Sequence, residues 1–139
     1  LKGKGSQVII IAGELEAEIA ELDNQADRLE LLKDAGLTEH GVNKMIRAAY
    51  DLLNLQSFFT AGPKEVRAWT IKKGMTAPQA AGAIHSDLER GFIRAEVMKY
   101  DDFMKYGSEH AVKEAGKFHV EGKNYVVDDG DILHIRFNV

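Results

Sequence analysis

The sequence predicts an α+β fold, with helices in the first part of the chain and mixed strands and helices in the second. Up to Leu53, apolar residues recur at the three-and-four spacing of amphipathic helices. From Ser57 onward, short apolar runs separated by turn residues indicate strands. A length of 139 residues, with 45% apolar and 29% charged residues, is typical of a globular protein that buries its own core.

Composition excludes several classes of function. The chain has no cysteine, which excludes disulfides, thiolate metal sites and a thiol nucleophile, and which suits a reducing, cytoplasmic location. No apolar run approaches the roughly 20 residues of a membrane span, so we expect no membrane association. The first residue is Leu1 and not methionine, which favours a fragment of a longer protein.

An unbroken apolar run near the start, Val8–Ile11, predicts a strand buried on both faces. Nothing else in residues 1–55 has the pattern of a strand. We therefore expect this strand to lie disordered without its sheet, to pack on the second part of the chain or to pair with another copy of the chain, which would give self-association.

Three helices are predicted to follow this strand. The first covers Glu14–Leu22, and the second contains Leu29 and Leu32 and ends at Gly36. Thr38 is a plausible cap for the third. That helix carries an apolar face formed by Val42, Met45, Ile46, Ala49, Leu52 and Leu53.

The second part begins with a predicted β-hairpin, in which Phe58–Thr60 and Val66–Ile71 flank a turn at residues 61–64. Thr76 then caps a helix that has Pro78 in its first turn and ends at Gly91. Alternation in Ile93–Val97 predicts a strand with one wet face, on which Arg94 and Glu96 would lie.

Two short helices are predicted next, followed by a second hairpin and a final strand. Their ranges are Phe103–Tyr106 and Ser108–Ala115 for the helices, Phe118–Val120 with Tyr125–Val127 for the hairpin, and Ile132–Phe137 for the last strand. Two hairpins around a helix, ending on a long strand, indicate a β-grasp arrangement of the ubiquitin kind. The change of pattern divides the chain into residues 1–55 and residues 56–139.

Charge is distributed unevenly. Residues 1–55 carry six basic and ten acidic side chains, whereas residues 64–99 carry seven basic and four acidic ones, a net +3. The spacing predicts that basic residues of the second part converge into one patch that contacts phosphates. These residues are Arg67, Lys72, Lys73, Arg90, Arg94 and Lys99. The alternative is that Arg67 and Arg94 pair with Glu65 and Glu96 at the surface.

Other chemistries lack the residues they need. The five histidines show no zinc-binding spacing, and His134 on the last strand is expected to be either exposed or satisfied in the core. Asp128, Asp129 and Asp131 around Gly130 lack the full calcium-loop pattern, which favours a role in the turn. Trp69 is expected in the core, with base stacking as the alternative.

Several segments resemble the C-terminal region of YchF-type Obg-like ATPases. They are Phe59–Gly62, Lys64–Thr70, Gly91–Val97 and Asp129–Val139, with Ala20–Asp23 and Ile46–Tyr50 upstream. The resemblance implies that residues 56–139 form a TGS domain and that residues 1–55 are the trailing edge of a P-loop nucleotide-binding domain. It also implies a parent that binds and hydrolyses ATP, or GTP, with magnesium and associates with ribosomes or RNA.

The nucleotide-binding machinery is mostly missing from this sequence, because no G-x-x-x-x-G-K-[ST] loop occurs in it. We therefore predict no catalysis, cofactor or metal for this chain alone. By the resemblance, Ala12 and Gly13 occupy the position of the family's base-contacting loop, although the expected Ser or Cys is absent. An ordinary strand-to-helix turn is the alternative for these two residues.

The function predicted from the sequence is that of an interaction module. It would dock on ribosomal RNA, on ribosomal protein or on the parent's own nucleotide-binding domain. One alternative is a subunit that completes a nucleotide site in trans. The other is a ubiquitin-like protein-binding module, which is disfavoured because the last residues lack the Gly-Gly pair that conjugation needs.

Overall fold

The computed structural model describes residues 6–62 and 65–138, which form two compact units that divide between Leu53 and Asn54. The first unit contains three helices: α1 (Gly13–Glu21), α2 (Gln25–Asp34) and α3 (Gly41–Leu52). The second contains five strands and four helices: β1 (Leu55–Ala61), β2 (Val66–Lys72), α4 (Ala77–Ile84), α5 (Ser86–Arg90), β3 (Phe92–Lys99), α6 (Tyr100–Tyr106), α7 (Glu109–Glu114), β4 (His119–Glu121) and β5 (Asp131–Phe137). None of these helices is long and apolar enough to cross a membrane.

The strand predicted at Val8–Ile11 is wrong. These residues adopt no strand, and the side chains of Val8 and Ile10 are 70% and 86% exposed. A strand buried on both faces needs neighbours on both edges, and the described part of the first unit supplies no strand.

The three helices of the first unit follow their predicted positions within a few residues. Ile19 and Leu32 are buried, and the side chain of Asn24 accepts a hydrogen bond from the Ala26 N–H at 2.9 Å, which caps α2. The cap predicted at Thr38 is wrong, because α3 begins two residues later, after His40. There the Glu16 carboxylate of α1 accepts the N–H of Gly41 at 2.8 Å, so a neighbouring helix and not a local side chain satisfies this donor.

The second unit is built on a five-stranded sheet of order β2-β1-β5-β3-β4. β1 pairs antiparallel with β2 over all seven residues and parallel with β5, and β3 pairs antiparallel with both β5 and β4. The first predicted hairpin is therefore confirmed. Pro63 and Lys64 of its turn lie outside the described residues.

The single helix predicted between Thr76 and Gly91 is two helices, because His85 adopts extended backbone angles between α4 and α5. Its start is confirmed. The Thr76 N–H donates to the side-chain oxygen of Gln79 at 2.9 Å, and Pro78 lies in the first turn. Gly91 ends α5 and not one continuous helix.

The second predicted hairpin is wrong. β4 pairs with Ala95–Val97 of β3 and not with Tyr125–Val127. The latter segment instead lies beside the start of α4, where the Ala77 N–H donates to the carbonyl of Tyr125 at 2.8 Å. Alternation of apolar residues indicates which face of a strand is buried, but it does not select the neighbouring strand.

Both faces of the central strands are covered. On one face, α4 packs over a core whose buried members include Phe58, Ala95, Val97 and Leu133. On the other, Met98, Val112 and Ile132 form a second cluster with side chains of α6 and α7. The wet face predicted for β3 is therefore wrong.

Two residues of β3 have the reverse of the exposure predicted from the sequence. Glu96 is only 8% exposed, whereas Ile93 is largely exposed because a register shift lies between Phe92 and Arg94.

Candidate nucleic-acid interface

Among the predicted basic residues, Lys99, Arg90 and Arg94 have acidic partners in the described structure. Lys99, at the end of β3, places its Nζ 2.7 Å from both Asp131 Oδ1 and Asp128 Oδ2. Tyr125 completes this cluster, because its hydroxyl donates to Asp131 Oδ2 at 2.7 Å and lies 3.3 Å from the lysine. The charge of Lys99 is therefore largely neutralised within the fold.

The pKa values of Lys99 and Tyr125 in this cluster are both raised. Burial lowers the pKa of Lys99, but the hydrogen bonds to Asp128, Asp131 and Tyr125 outweigh it, so the pKa lies above its ordinary value. Burial, together with the hydrogen bond to Asp131, raises the pKa of Tyr125 to about 12. Both shifts extend the pH range over which these side chains stay protonated further into alkaline conditions.

The turn that carries these aspartates is tied to β1. The Ser57 N–H donates to Asp129 Oδ1 at 2.8 Å, and the Gly130 N–H donates to the carbonyl of Ser57 at 2.8 Å. Gly130 has a φ of 81°, the left-handed region that glycine adopts without strain. The turn role predicted for this cluster is confirmed. No group of three His, Asp or Glu side chains in the described ranges could hold a metal ion.

Arg90 and Arg94 are also paired. Arg90 forms an ion pair with Asp87 of the same short helix, and the guanidinium of Arg94 lies 3.5 Å from Glu96. Glu96 is held more tightly by Arg136 on the neighbouring strand, through two hydrogen bonds of 3.1 and 2.9 Å. The hydrogen bond from Arg136 holds the pKa of Glu96 below its ordinary value. The pairing of Arg94 with Glu96, left open by the sequence, is therefore present.

The remaining basic residues lie on or beside β2, an edge strand of the sheet. Arg67 and Lys72 are exposed on β2, and Lys73 follows its end, where the Lys73 N–H donates to the carbonyl of Asn54. Because side chains of a strand alternate, Arg67 and Lys72 belong to opposite faces of the sheet.

Arg67 makes no ion pair with Glu65 in the described structure. Its guanidinium lies 4.2 Å from the ring centroid of Trp69, two residues along the same strand. The indole N–H of Trp69 donates to the hydroxyl of Thr60 at 2.9 Å. Trp69 is partly buried and packs against the first core, as expected, but it remains within reach of solvent.

One continuous basic patch, as predicted from the sequence, requires the strands that carry these residues to be adjacent. This requirement is not met, because β1 and β5 lie between β2 and β3. Three strand spacings separate β2 from β3 by about 14 Å. The fold therefore places Arg67, Lys72 and Lys73 on or beside β2, and Arg90, Arg94 and Lys99 elsewhere in the second unit. RNA binding by these six residues stays a prediction.

Two predicted residues lie in the first unit. Ala12 precedes α1 and Gly13 is its first residue, and the carbonyl of Ala12 accepts the Glu16 N–H at 2.9 Å. These contacts are those of an ordinary helix start. The base-contacting role of Ala12 and Gly13 stays a prediction.

One site feature was not predicted from the sequence. His134, paired in register with Glu96, lies with its Nε2 3.4 Å from Glu109 of α7. Glu109 also accepts a hydrogen bond from Lys113, which holds its pKa below the ordinary value. No sequence spacing connects Glu109 with His134, because the two meet only through packing of α7 on the sheet.

Comparison with known proteins gives one consistent result. The family model YchF-GTPase_C, described as a protein of unknown function (DUF933), matches residues 55–138. The chain is 55% identical over 136 residues to the ribosome-binding ATPase YchF of Haemophilus influenzae, covering 98% of the chain and 37% of that protein. It is 54% identical over 134 residues to rat Obg-like ATPase 1, covering 96% of the chain and 33% of that protein.

A solved structure agrees with these matches. The YchF GTPase of Schizosaccharomyces pombe superposes with a TM-score of 0.79 at 38% identity, covering 96% of the chain and 35% of that protein. The chain therefore spans little more than a third of the length of the relatives it matches.

Proposed function

The chain belongs to the YchF family and corresponds to its C-terminal, TGS-containing region, and on this basis we propose that it is an interaction module that docks on ribosomal RNA. One observation carries the proposal: Arg67 and Lys72 lie exposed on an edge strand, whereas Arg90, Arg94 and Lys99 each form an ion pair with a carboxylate. An exposed cation outside an ion pair contributes most to phosphate binding. It neutralises a phosphate and releases the counterions of the nucleic acid without first breaking an ion pair in the protein.

The relatives support the choice of the ribosome as the partner. Several of them carry the name ribosome-binding ATPase, including the proteins of Haemophilus influenzae and Bacillus subtilis, which are 55% and 52% identical to this chain. The proposal assigns part of that ribosome contact to the β2 edge. The ATP or GTP hydrolysis of the full-length parent, with magnesium, is assigned to residues outside this sequence, because the phosphate loop does not occur in it.

A second candidate, docking on the parent's own nucleotide-binding domain, is favoured by exposed apolar residues of the first unit. On α3, Val42, Met45 and Ile46 are each about half exposed, and Val8 and Ile10 are more so. A helix with one apolar face normally buries that face against another element. We assign this face to the remainder of the full-length protein, separately from the RNA contact on β2.

Ribosome sedimentation tests the proposal. A double charge reversal, Arg67→Glu with Lys72→Glu, should release the chain from ribosomes at a salt concentration at which the native chain sediments with them. The matched control, Lys105→Glu with Lys117→Glu, changes net charge equally at exposed positions of α6 and of the segment after α7. Equal release of both double variants would show that ribosome binding depends on net charge alone. It would contradict the assignment of the contact to β2.

A further inference from the structure

The sheet of the second unit opens between β1 and β5. In the described residues these parallel strands are paired at Phe59 and Ile132 alone, although both continue further. Beyond this pair lies a cleft of about 310 Å³, here called the β1–β5 cleft. Its lining comes from Thr60, Ala61, Gly62, Glu65, Trp69, Ile84, Leu88, Leu133, His134 and Ile135.

Backbone polar groups face this opening. Two hydrogen bonds at the ends of the β1–β2 hairpin show which residues of β1 face β2 and which face β5. The Gly62 N–H donates to the carbonyl of Glu65, and the Lys73 N–H donates to the carbonyl of Asn54. In this antiparallel register, even-numbered residues of β1 exchange hydrogen bonds with β2, so the N–H and carbonyl of Ala61 face β5. No ladder pair joins Ala61 to β5 in the described part of the chain. By the same alternation, Leu133 and Ile135 present backbone groups to β1.

The floor of the cleft is apolar, and its wall is held in place. Ile84, Leu88 and Ile135 pack against the first core, as does Trp69. The hydrogen bond to Thr60 holds the indole, and the guanidinium of Arg67 lies over its ring. An apolar pocket with a few convergent hydrogen-bonding groups is typical of a small-molecule site.

Size decides between two classes of occupant. β1 with the following Gly62 lines one side with three residues, and β5 lines the other with three, a length of about 10 Å. A strand added to a sheet usually pairs over about five or six residues. A volume of about 310 Å³ lies at the lower limit of ligand pockets, roughly 300–1,000 Å³. A single flat ring system fits this space better than an extended peptide.

We propose that the β1–β5 cleft takes one unpaired nucleobase of the RNA that docks on β2. The base would stack beside Trp69 and Arg67 and present its polar edge to the backbone of Ala61 and Ile135. Single-stranded RNA is recognised in this way, by unstacked bases placed on aromatic or guanidinium planes and read along their edges. The inference rests on the proposed RNA docking and adds to it the nucleotide-level contact.

Tryptophan fluorescence tests the inference, because Trp69 is the one tryptophan of the chain. The probes are fluorescein-labelled hexaribonucleotides of A, C and U, with anisotropy as a measure of binding and Trp69 emission as a measure of stacking. We expect saturable quenching of Trp69 that follows the anisotropy change for at least one sequence. Anisotropy changes without any change in Trp69 emission would overturn the cleft assignment and leave RNA docking standing.

A cleft-filling variant provides the second readout. Ile84→Phe enlarges a side chain of the cleft floor, and Val120→Phe makes a similar enlargement on exposed β4, outside the lining residues. Loss of one stacked base should weaken oligonucleotide binding by Ile84→Phe about tenfold. Val120→Phe should leave binding unchanged. Leu88→Phe replaces Ile84→Phe if the latter lowers the unfolding midpoint.

The outcomes separate the two proposals. Equal affinity of the cleft-filled and native chains would overturn the nucleobase site alone. No anisotropy change with any oligonucleotide would overturn RNA docking, and the base site with it. Trp69 quenching by an acidic decapeptide but by no oligonucleotide would assign the cleft to a peptide and would contradict the proposal.

Discussion

Nζ of Lys99 lies 2.7 Å from Oδ1 of Asp131, a carboxylate that is completely buried. The same ammonium lies 2.7 Å from Asp128, whose side chain is 69% exposed. Two ion pairs of equal length therefore share one cation but differ in solvation. Replacing the buried partner also removes the charged acceptor of the Tyr125 hydroxyl and of the Asp128 N–H, whereas water replaces the exposed partner.

Asp131→Asn and Asp128→Asn should accordingly differ in stability. We expect Asp131→Asn to lower the free energy of unfolding by about 2 kcal/mol, below the ~3–5 kcal/mol of a fully buried pair because solvent reaches Lys99. Asp128→Asn should cost less than about 1 kcal/mol. Urea unfolding of both variants measures the difference, and equal losses would contradict the account of this cluster.

Alkaline pH should destabilise the second unit through Tyr125. Its pKa is raised to about 12 in the fold, whereas an unfolded tyrosine titrates near pH 10. Between these values the unfolded chain has released a proton that the folded chain retains, so stability is complete below pH 10 and falls as the pH rises. The pKa of Lys99 is also raised, so its contribution falls in the same direction.

Thermal unfolding between pH 8 and pH 11.5 checks this prediction. The native chain should lose stability steadily above pH 10, and Tyr125→Phe should lose less over the same interval. An unfolding midpoint with the same pH dependence in both proteins would show that Tyr125 does not contribute.

The second unit should fold without the first. A chain that begins at Asn54 retains every strand of the sheet and both apolar clusters. We expect it to unfold in one cooperative transition. Circular dichroism during urea titration measures this. If the trimmed chain is unfolded at 25 °C, the prediction is wrong and the second unit needs the first 53 residues for its stability.

Nucleotides should not bind to this chain. Because the sequence contains no phosphate loop, the positions of Ala12 and Gly13 offer backbone groups alone to a base. Isothermal titration calorimetry with ATP or GTP and magnesium should show no binding stronger than a Kd of about 1 mM. Tighter binding that is lost in a Gly13→Val variant would contradict this prediction. It would favour base contact by Ala12 and Gly13 and a chain that completes a nucleotide site in trans.

Local features of the fold were predictable from the sequence. The hairpin of β1 and β2 and the start of α4 at Thr76 depend on residues close together in the chain, and both are present. Partner choice was not predictable. The segment at 125–127 has the alternation of a strand, but its position is set by α4 and not by β4.

The candidate site shows the same division. Pairing of Arg94 with Glu96 was foreseeable because the two lie on one strand, two residues apart. The neutralisation of Lys99 by Asp131 was not, because 32 positions separate these residues and only the pairing of β3 with β5 joins them. The net charge of residues 64–99 omits Asp128 and Asp131, so it overestimates the positive charge around Lys99.

The salt dependence of RNA binding tests the central claim most directly. Each phosphate contact contributes about −0.7 to −0.9 to the slope of log affinity against log salt concentration. We predict that Arg67→Ala and Lys72→Ala each make the slope shallower by about that amount, with an unchanged unfolding midpoint. Arg90→Ala and Arg94→Ala, which remove cations already paired with carboxylates, should leave it unchanged. An unaltered slope in the β2 variants, or an equal change in all four, would contradict docking through the β2 edge.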